Sequence, residues 1–209
     1  MENKKTSIVV PGSPLGITTP EQLEQIAATA KKYNIETIKI TGGQRLKFMD
    51  VDNDCAAQVL DELGGSVPGG IKKGAHTVQA CPGTMGCKYA RENSLALAKT
   101  LTGALSQIPV PGKVKVGISG CAFNCCQGYI RDIGIFAKKS GWVLIFGGNG
   151  GGKPRIGDII KESLTSDEVI DLIQKALEYY TAHARKHERT ARFISRTGLE
   201  GLTKATLAG

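Results

Sequence analysis

Aromatic residues make up only 5% of this 209-residue chain, and there is a single Trp. Surfaces that stack nucleobases interleave rings with cations, and no such stretch occurs here. The chain carries 27 Lys and Arg against 19 Asp and Glu, a formal charge of +8, but the basic residues are spread rather than massed in one block. On charge alone a polyanionic small ligand fits as well as nucleic acid. No apolar run approaches the roughly 20 residues that span a bilayer, so no membrane span is expected. The opening MENKKTSIVVPGSPLG has two lysines but no apolar segment ahead of a small-residue cleavage site, so a soluble cytoplasmic protein is the expectation. Gly147 to Gly152 is Gly-rich without opening a strand-to-helix dinucleotide turn, and no internal repeat is visible.

A core is not lacking, since 41% of residues are hydrophobic. Thr19-Pro20-Glu21-Gln22 reads as a helix start, with Leu23, Ile26, Ala27 and Ala30 at helical spacing. Glu36 to Thr41 alternates as a strand, Gly42-Gly43 marks a turn, and Leu46, Phe48 and Val51 suggest another strand. A helix from about Asp54 to Leu63 stops at Gly64-Gly65. These elements compose a ferredoxin-like half-unit over residues 1–68, closed by a linker at Ser66 to Gly70. Residues 69–209 read as a second, α/β domain, and the whole as α+β. Its strands are expected at His76 to Ala80, around Val114 to Ile118, and as a pair at Ile133 to Ala137 and Trp142 to Phe146. Helices are expected from Cys87 to about Leu101, as a turn after Cys121, and from an N-cap at Ser166 through Leu177. The Gly147 to Gly152 loop offers open backbone N–H groups, and the end of the chain reads as a basic tail.

Six cysteines stand at 55, 81, 87, 121, 125 and 126. In a reducing compartment clustered cysteines argue for a metal rather than disulfides. Cys81 and Cys87 enclose five residues, Cys121 and Cys125 enclose three, and each pair follows an expected strand where a helix begins. Helix N-termini favour thiolate over thiol. The wide first spacing, with Pro82-Gly83 inside it, suits a 4Fe–4S cluster better than zinc, whose structural sites mostly use pairs two to four apart. Zinc remains the competing metal, and a zinc-stabilised nucleic-acid module the competing function. Cys55 and Cys126 read as small buried apolar residues.

Cys-Pro-Gly-x-x-x-Cys at 81–87, followed by Gly-Cys-x-x-x-Cys at 120–125, resembles the sulfite and nitrite reductase hemoproteins, which couple siroheme to a 4Fe–4S cluster. Thr41 to Leu46, Lys113-Val114-Lys115, Ile130 to Gly134, Phe146 to Asn149 and Glu188-Arg189 also resemble segments of that family. The resemblance implies that Cys81, Cys87, Cys121 and Cys125 ligate the cluster, with Cys125 bridging to the siroheme iron. It implies that Lys113 and Lys115 grip the substrate anion, sulfite or nitrite. Siroheme carboxylates need cations and N–H donors, and Arg45, Lys47, Lys153, Arg155 and the backbone at Gly148 and Asn149 are the candidates. A ferredoxin-like electron donor is implied.

The chain departs from the family in two ways. Two basic positions of the anion site align with Gly43 and His76. Histidine, with a reference pKa of about 6.5, is only partly charged at neutral pH. It is a candidate proton donor, while Arg45, two residues beyond Gly43, would share a strand face with it. A less positive pocket weakens a dianion more than a monoanion. An electron-transfer or repurposed siroheme protein without efficient sulfite reduction is therefore the alternative. The family's larger members carry two repeats of this unit and this chain carries one, so a homodimer or higher homo-oligomer is expected.

Overall fold

The computed structural model describes residues 5–65, 76–105 and 108–208. The chain divides into two compact units, Met1–Gly70 and Ile71–Gly209. The expected linker at 66–70 lies outside the described residues.

In the first unit β1 (Lys5–Val9), β2 (Ile38–Ile40) and β3 (Leu46–Asp52) form an antiparallel sheet in the order β1-β3-β2. The helix α1 (Pro20–Lys32) starts at Thr19 with a capping box to Gln22, and α2 (Ala56–Glu62) follows a 3-10 turn. The odd spacing of Phe48 and Val51 has a cause in β3. The register slips between Thr6 and Ile8 of β1, with Asp50 at φ 54°. The extra residue of this bulge turns Val51 into the core beside Phe48, Ile8 and Val59. Gly43 and Arg45 do not share a strand face as expected. Residues 41–45 form the turn between β2 and β3, with Gln44 in the left-handed region at φ 57°.

The second unit is built on a five-stranded sheet, β4 (His76–Ala80), β5 (Val114–Ser119), β6 (Ile133–Lys138), β7 (Gly141–Phe146) and β8 (Asp158–Leu164), in that spatial order. β4, β5 and β6 run parallel, while β7 and β8 are antiparallel additions. Strand β8 was not expected, because Ile160 and Leu164 are its only buried residues and the exposed Lys161, Glu162 and Ser163 separate them, so no alternation marks this edge strand. The helices are α3 (Ser94–Leu105), α4 (Ser166–His183), α5 (Thr190–Thr197) and α6 (Glu200–Leu207). The expected basic tail is therefore two helices, with Phe193, Ile194 and Leu202 buried. Val114, Val116, Ile118, Leu101, Leu177 and Tyr180 are fully enclosed, and each such apolar side chain contributes roughly 1.5–3 kcal/mol.

Three local expectations are corrected. The helix expected from Cys87 begins at Ser94, where the Asn93 carboxamide accepts from the Ala96 N–H at 3.0 Å; residues before it are tied down by Gly120 O, which accepts from Arg91 N–H at 2.6 Å. The helical turn expected after Cys121 comes only at Gly128–Ile130, as a 3-10 turn, because Asn124 (φ 52°) and Gln127 (φ 59°) break the segment before it into successive turns. The helix α4 is capped by Thr165 with Glu168, one residue before the expected Ser166.

Candidate functional site

The parallel strands give the sheet two distinct ends. Cys81 follows β4 and Cys121 follows β5, so both cysteine loops leave the carboxyl ends of neighbouring parallel strands, the usual site of ligand crevices in such sheets. The loops are joined directly. The Gly120 N–H donates to Cys81 Sγ at 3.1 Å, and the Ser94 hydroxyl lies 3.4 Å from the same sulfur. A Cβ on Gly120 would stand 2.8 Å from Glu92 O and 3.0 Å from Gly83 Cα, so the approach depends on glycine. Cys81, Cys87 and Cys121 are half-buried and Cys125 is exposed. The first loop carries only a 3-10 turn at Gly83–Met85 in place of the expected α-helix start, and the N–H that reaches Cys81 Sγ comes from Gly120 of the neighbouring loop.

The other end of the sheet is basic. Lys113 and Lys115 enter β5, Arg131 precedes β6, and Arg189 precedes α5. Burial pulls the Lys115 pKa below the usual lysine range, and the neighbouring charges of Arg189, Lys113 and Arg131 add to the pull. Four cations therefore share one neighbourhood. Asp132, 1% exposed, organises it. Its carboxylate accepts from Arg189 through both oxygens, from the Thr190 hydroxyl at 2.7 Å and from the Lys115 backbone N–H at 2.9 Å.

The segment after Cys121 connects these ends. A parallel β5-to-β6 connection must return the chain along the sheet, and here it returns pressed against the strands. Gly117 and Gly134 are register partners on β5 and β6. A Cβ on Gly117 would stand 2.4 Å from Cys126 O, and one on Gly134 would stand 2.2 Å from Gly128 O. The two glycines make a gutter that seats residues 126–128. Ser119, two residues along β5, accepts from the Cys126 N–H at 3.0 Å, while Arg131 Nε donates to Cys126 O at 3.3 Å. Lys115, Gly117 and Ser119 alternate onto one strand face, so the return segment carries Cys125 over the face that bears Lys115. Cys126 is buried, and burial pushes its thiol up to about 11, with the nearby Cys81 and Cys125 adding to the shift.

The remaining candidates separate. Gly147 to Gly152 is not a loop of open N–H groups. Gly147 N–H donates to Asp132 O, Asn149 N–H to Arg155 O, and Gly151 N–H to the Asn149 side chain. Lys153 and Arg155 border a basin of about 1010 Å³ whose lining also includes Arg189, Arg192 and Arg196. Arg155 donates to Gly147 O at 2.9 Å and pairs with Asp158 at 2.6 Å. Arg196 grips Glu188 through two bonds and holds its carboxyl down at about 2. Arg45 and Lys47 belong to the first unit, where Lys47 lies on β3 between Val9 and Lys39. His76 opens β4 with Val114 as its register partner, and it is Thr77 that aligns with Lys115. Sequence reasoning assigned no role to Arg131, Asp132, Arg189, Arg192 or Arg196. The spacing of Arg192 and Arg196 puts them on one face of α5, with Arg189 at its N-cap, which was a readable signal.

Among the described residues no three His, Cys, Asp or Glu side chains already stand together at metal-ligating separation. The donor set nevertheless suits an iron–sulfur cluster. It offers four thiols on two loops that are hydrogen-bonded to each other, with a backbone N–H aimed at sulfur.

Known proteins place the chain in a family. Residues 72–208 match the nitrite and sulphite reductase 4Fe-4S domain, and residues 1–65 match the nitrite/sulfite reductase ferredoxin-like half domain. An assimilatory-type sulfite reductase of Nitratidesulfovibrio vulgaris is 39% identical over 205 residues, covering 98% of this chain and 94% of the relative. The Bacillus subtilis NAD(P)H nitrite reductase is 35% identical over 93% of this chain, which spans only 24% of that larger protein. Among solved structures, dissimilatory sulfite reductase I superposes with a TM-score of 0.78 at 12% identity, over 96% of this chain and 68% of that one. The Mycobacterium tuberculosis NirA protein superposes with a TM-score of 0.73 at 22% identity, over 96% of this chain and 40% of that one. The fold is a ferredoxin-like half-domain followed by a 4Fe–4S-type α/β domain, and the chain belongs to the nitrite and sulfite reductase family of oxidoreductases.

Proposed function

We propose that the protein is a siroheme- and 4Fe–4S-containing reductase of sulfite or nitrite. One observation carries the reading. The glycine gutter seats residues 126–128, which directly follow Cys125, on the strand face that also bears Lys115, beside the two joined cysteine loops. Cys81, Cys87, Cys121 and Cys125 would hold the cluster, and Cys125 would also contact the siroheme iron. When bound, these groups would supply electrons and an iron with an open coordination position.

The chain's own residues supply the rest. Lys113, Lys115 and Arg131 would bind the oxyanion. Among the described residues Arg131 donates only to uncharged acceptors, Cys126 O and the Gln127 side chain, and no described carboxylate pairs with it. Arg189 is paired with Asp132 and would act mainly by holding the Lys115 neighbourhood in place. Lys153, Arg155 and Arg192, which border one basin, would meet macrocycle carboxylates, whereas the Asn149 N–H is already bonded to Arg155 O. His76 remains a candidate proton donor, and its side chain lies outside the described residues. A one-electron carrier of the ferredoxin kind, a homodimeric assembly and a reducing cytoplasm complete the reading.

A second reading, electron transfer or a repurposed site, draws on Gly43 and on the engagement of Arg189 and Arg196 with carboxylates. Anaerobic purification with iron, sulfide and tetrapyrrole analysis, followed by turnover of sulfite, nitrite and hydroxylamine, separates the two. Both cofactors with turnover of at least one anion are expected. Fully loaded protein that reduces none of the three favours the second reading, and colourless zinc protein rejects both.

A further inference from the structure

Tyr89 and Phe123 are 54% and 71% exposed, and their rings meet edge to face at 5.3 Å. Each follows a candidate cluster ligand by two residues, Cys87 and Cys121. They border a shallow depression of about 450 Å³ that also takes in Cys121, Lys88, Arg91, Lys138 and Lys139. Among the described residues the lining holds four cations and no carboxylate. Lys138 is paired with Glu162 at 2.7 Å, whereas Lys88 sits over the Tyr89 ring at 5.1 Å from its centroid. Lys138 and Lys139 stand at the carboxyl end of β6, which runs parallel to β4 and β5. The depression is therefore at the cysteine end of the sheet, away from the basic end where Lys115, Arg131 and Arg189 gather.

Exposed rings framed by cations have the composition of a transient protein interface, with an aromatic centre and a charged rim. A small inorganic anion could neutralise the cations but leaves two rings facing water. Two rings in edge contact with each other do not form the series of open faces that stacks successive bases. An acidic protein surface can cover rings and cations together, and charge complementarity would steer it to the side on which Cys121 is half-buried. Weak electron-transfer encounters sit at the small end of interface sizes, which suits a patch of these dimensions.

We infer that the Tyr89–Phe123 patch is the docking surface for a small acidic protein that carries one electron at a time. The inference rests on the reductase reading above and adds the place of entry. At each encounter the carrier would be oxidised by one electron, and the cluster that Cys121 would help to hold would be reduced by one. No bond forms and no proton moves at this surface. Electrons would thus enter at one end of the parallel strands and the anion at the other.

The test compares the loaded protein with a Lys88→Glu/Lys139→Glu variant and a Phe123→Ser variant, none of them at a proposed anion or cofactor contact. Turnover is driven either by an acidic 2Fe–2S carrier protein or by reduced methyl viologen, and carrier binding is titrated separately at two salt concentrations. The charge reversal should weaken carrier binding and raise the carrier KM about tenfold or more, and flatten the salt dependence. Viologen-driven turnover should stay within about twofold. Phe123→Ser should weaken the carrier without changing the salt slope. Equal carrier binding by wild type and variants overturns the proposal, as does an equal loss of viologen-driven turnover, which would assign the patch to the cofactor cradle. Tighter binding of single-stranded DNA than of the carrier, lost in the same variants, also overturns it. If wild type reduces neither anion with viologen, the reductase reading fails, and the binding titration still decides the docking surface.

Discussion

Asp132 and Arg189 are 57 residues apart in sequence, yet they form a two-oxygen ion pair at the basic end of the sheet. The carboxylate is almost completely enclosed while the guanidinium is one-third exposed. Thr190 and the Lys115 backbone occupy the remaining acceptor capacity. One carboxylate thus fastens the start of α5 to the entry of β5 and fixes where the Lys115 side chain departs.

Asp132→Asn keeps the shape but removes the charge, so Arg189 is left partly buried and unpaired. Breaking a buried pair from one side costs about 3–5 kcal/mol, and the partial exposure of Arg189 puts the expected loss near the lower figure. Urea denaturation should show a lower midpoint with an unchanged slope. A midpoint equal to wild type would mean that this pair contributes nothing to the fold.

Lys115 yields a pH prediction. Its folded pKa lies below the ordinary lysine value because burial and the charges of Arg189, Lys113 and Arg131 disfavour the ammonium. As pH rises its charge is lost earlier than that of a solvated lysine, and anion binding should fall with it. Lys115→Arg keeps the cation and should move the alkaline fall of kcat/KM to higher pH. Lys115→Met should weaken anion binding about tenfold to a hundredfold, the loss of roughly 1.5–3 kcal/mol for a hydrogen bond to a charged group, and more for sulfite than for nitrite. Identical alkaline limbs in wild type and the Arg variant would remove Lys115 from the anion site.

Glu188 works in the opposite direction. Arg196 holds its carboxyl at about 2, below the 4.5 of an unperturbed glutamate. A depressed carboxyl contributes stability above the unfolded value, and that contribution is lost as pH falls from about 4.5 towards 2. Glu188→Gln should cost about 1.5 kcal/mol at pH 7 and progressively less below pH 4, measured as thermal midpoints across that range. A cost that does not change with pH would show that the charge is not what stabilises.

Strands were legible wherever apolar residues alternate, as at Val114, Val116 and Ile118, and the helix starts at Thr19 and Thr165 were legible to within a residue because capping residues mark them. The cysteine spacing exposed the donor set. What stayed hidden has a common origin in contacts between distant residues. The segment after Cys121 looks helical by composition, but the closeness of Gly117 and Gly134 lays it flat against the sheet as turns. The bulge at Asp50 and the pairing of Asp132 with Arg189 likewise depend on partners that no local pattern names. The Gly147 to Gly152 run reads in sequence as a loop of open N–H groups and is held by Asp132 O, Arg155 O and Asn149.

Cys125 and Cys126 are adjacent, yet one is exposed and the other buried. Cys125→Ser should lower the bound iron and sulfide and alter both chromophores. Cys126→Ala should keep iron, sulfide and tetrapyrrole at wild-type ratios and cost only about 1 kcal/mol for a small buried side chain. The check is metal and sulfide analysis with visible spectra of both variants after identical anaerobic loading. Loss of iron from Cys126→Ala alone would exchange the two assignments.

The glycine gutter gives a steric prediction independent of charge. A methyl at Gly117 would stand 2.4 Å from Cys126 O and one at Gly134 would stand 2.2 Å from Gly128 O, both against backbone that cannot swing aside. Either alanine must lift the return segment off the sheet, moving Cys125 away from the cysteine loops and Arg131 away from Cys126 O. Overpacking of this kind costs about 1–3 kcal/mol, and the loss of cluster loading should exceed the loss of stability, because the displaced segment carries a proposed ligand. Gly152 has nothing within 4 Å of an added Cβ, so Gly152→Ala should leave iron content unchanged. Gly103, inside α3 and equally open, should become more stable as alanine by about 0.5–1 kcal/mol. If Gly117→Ala and Gly134→Ala bind iron as fully as Gly152→Ala does, seating of the return segment does not position Cys125, and the observation behind the proposed function is lost.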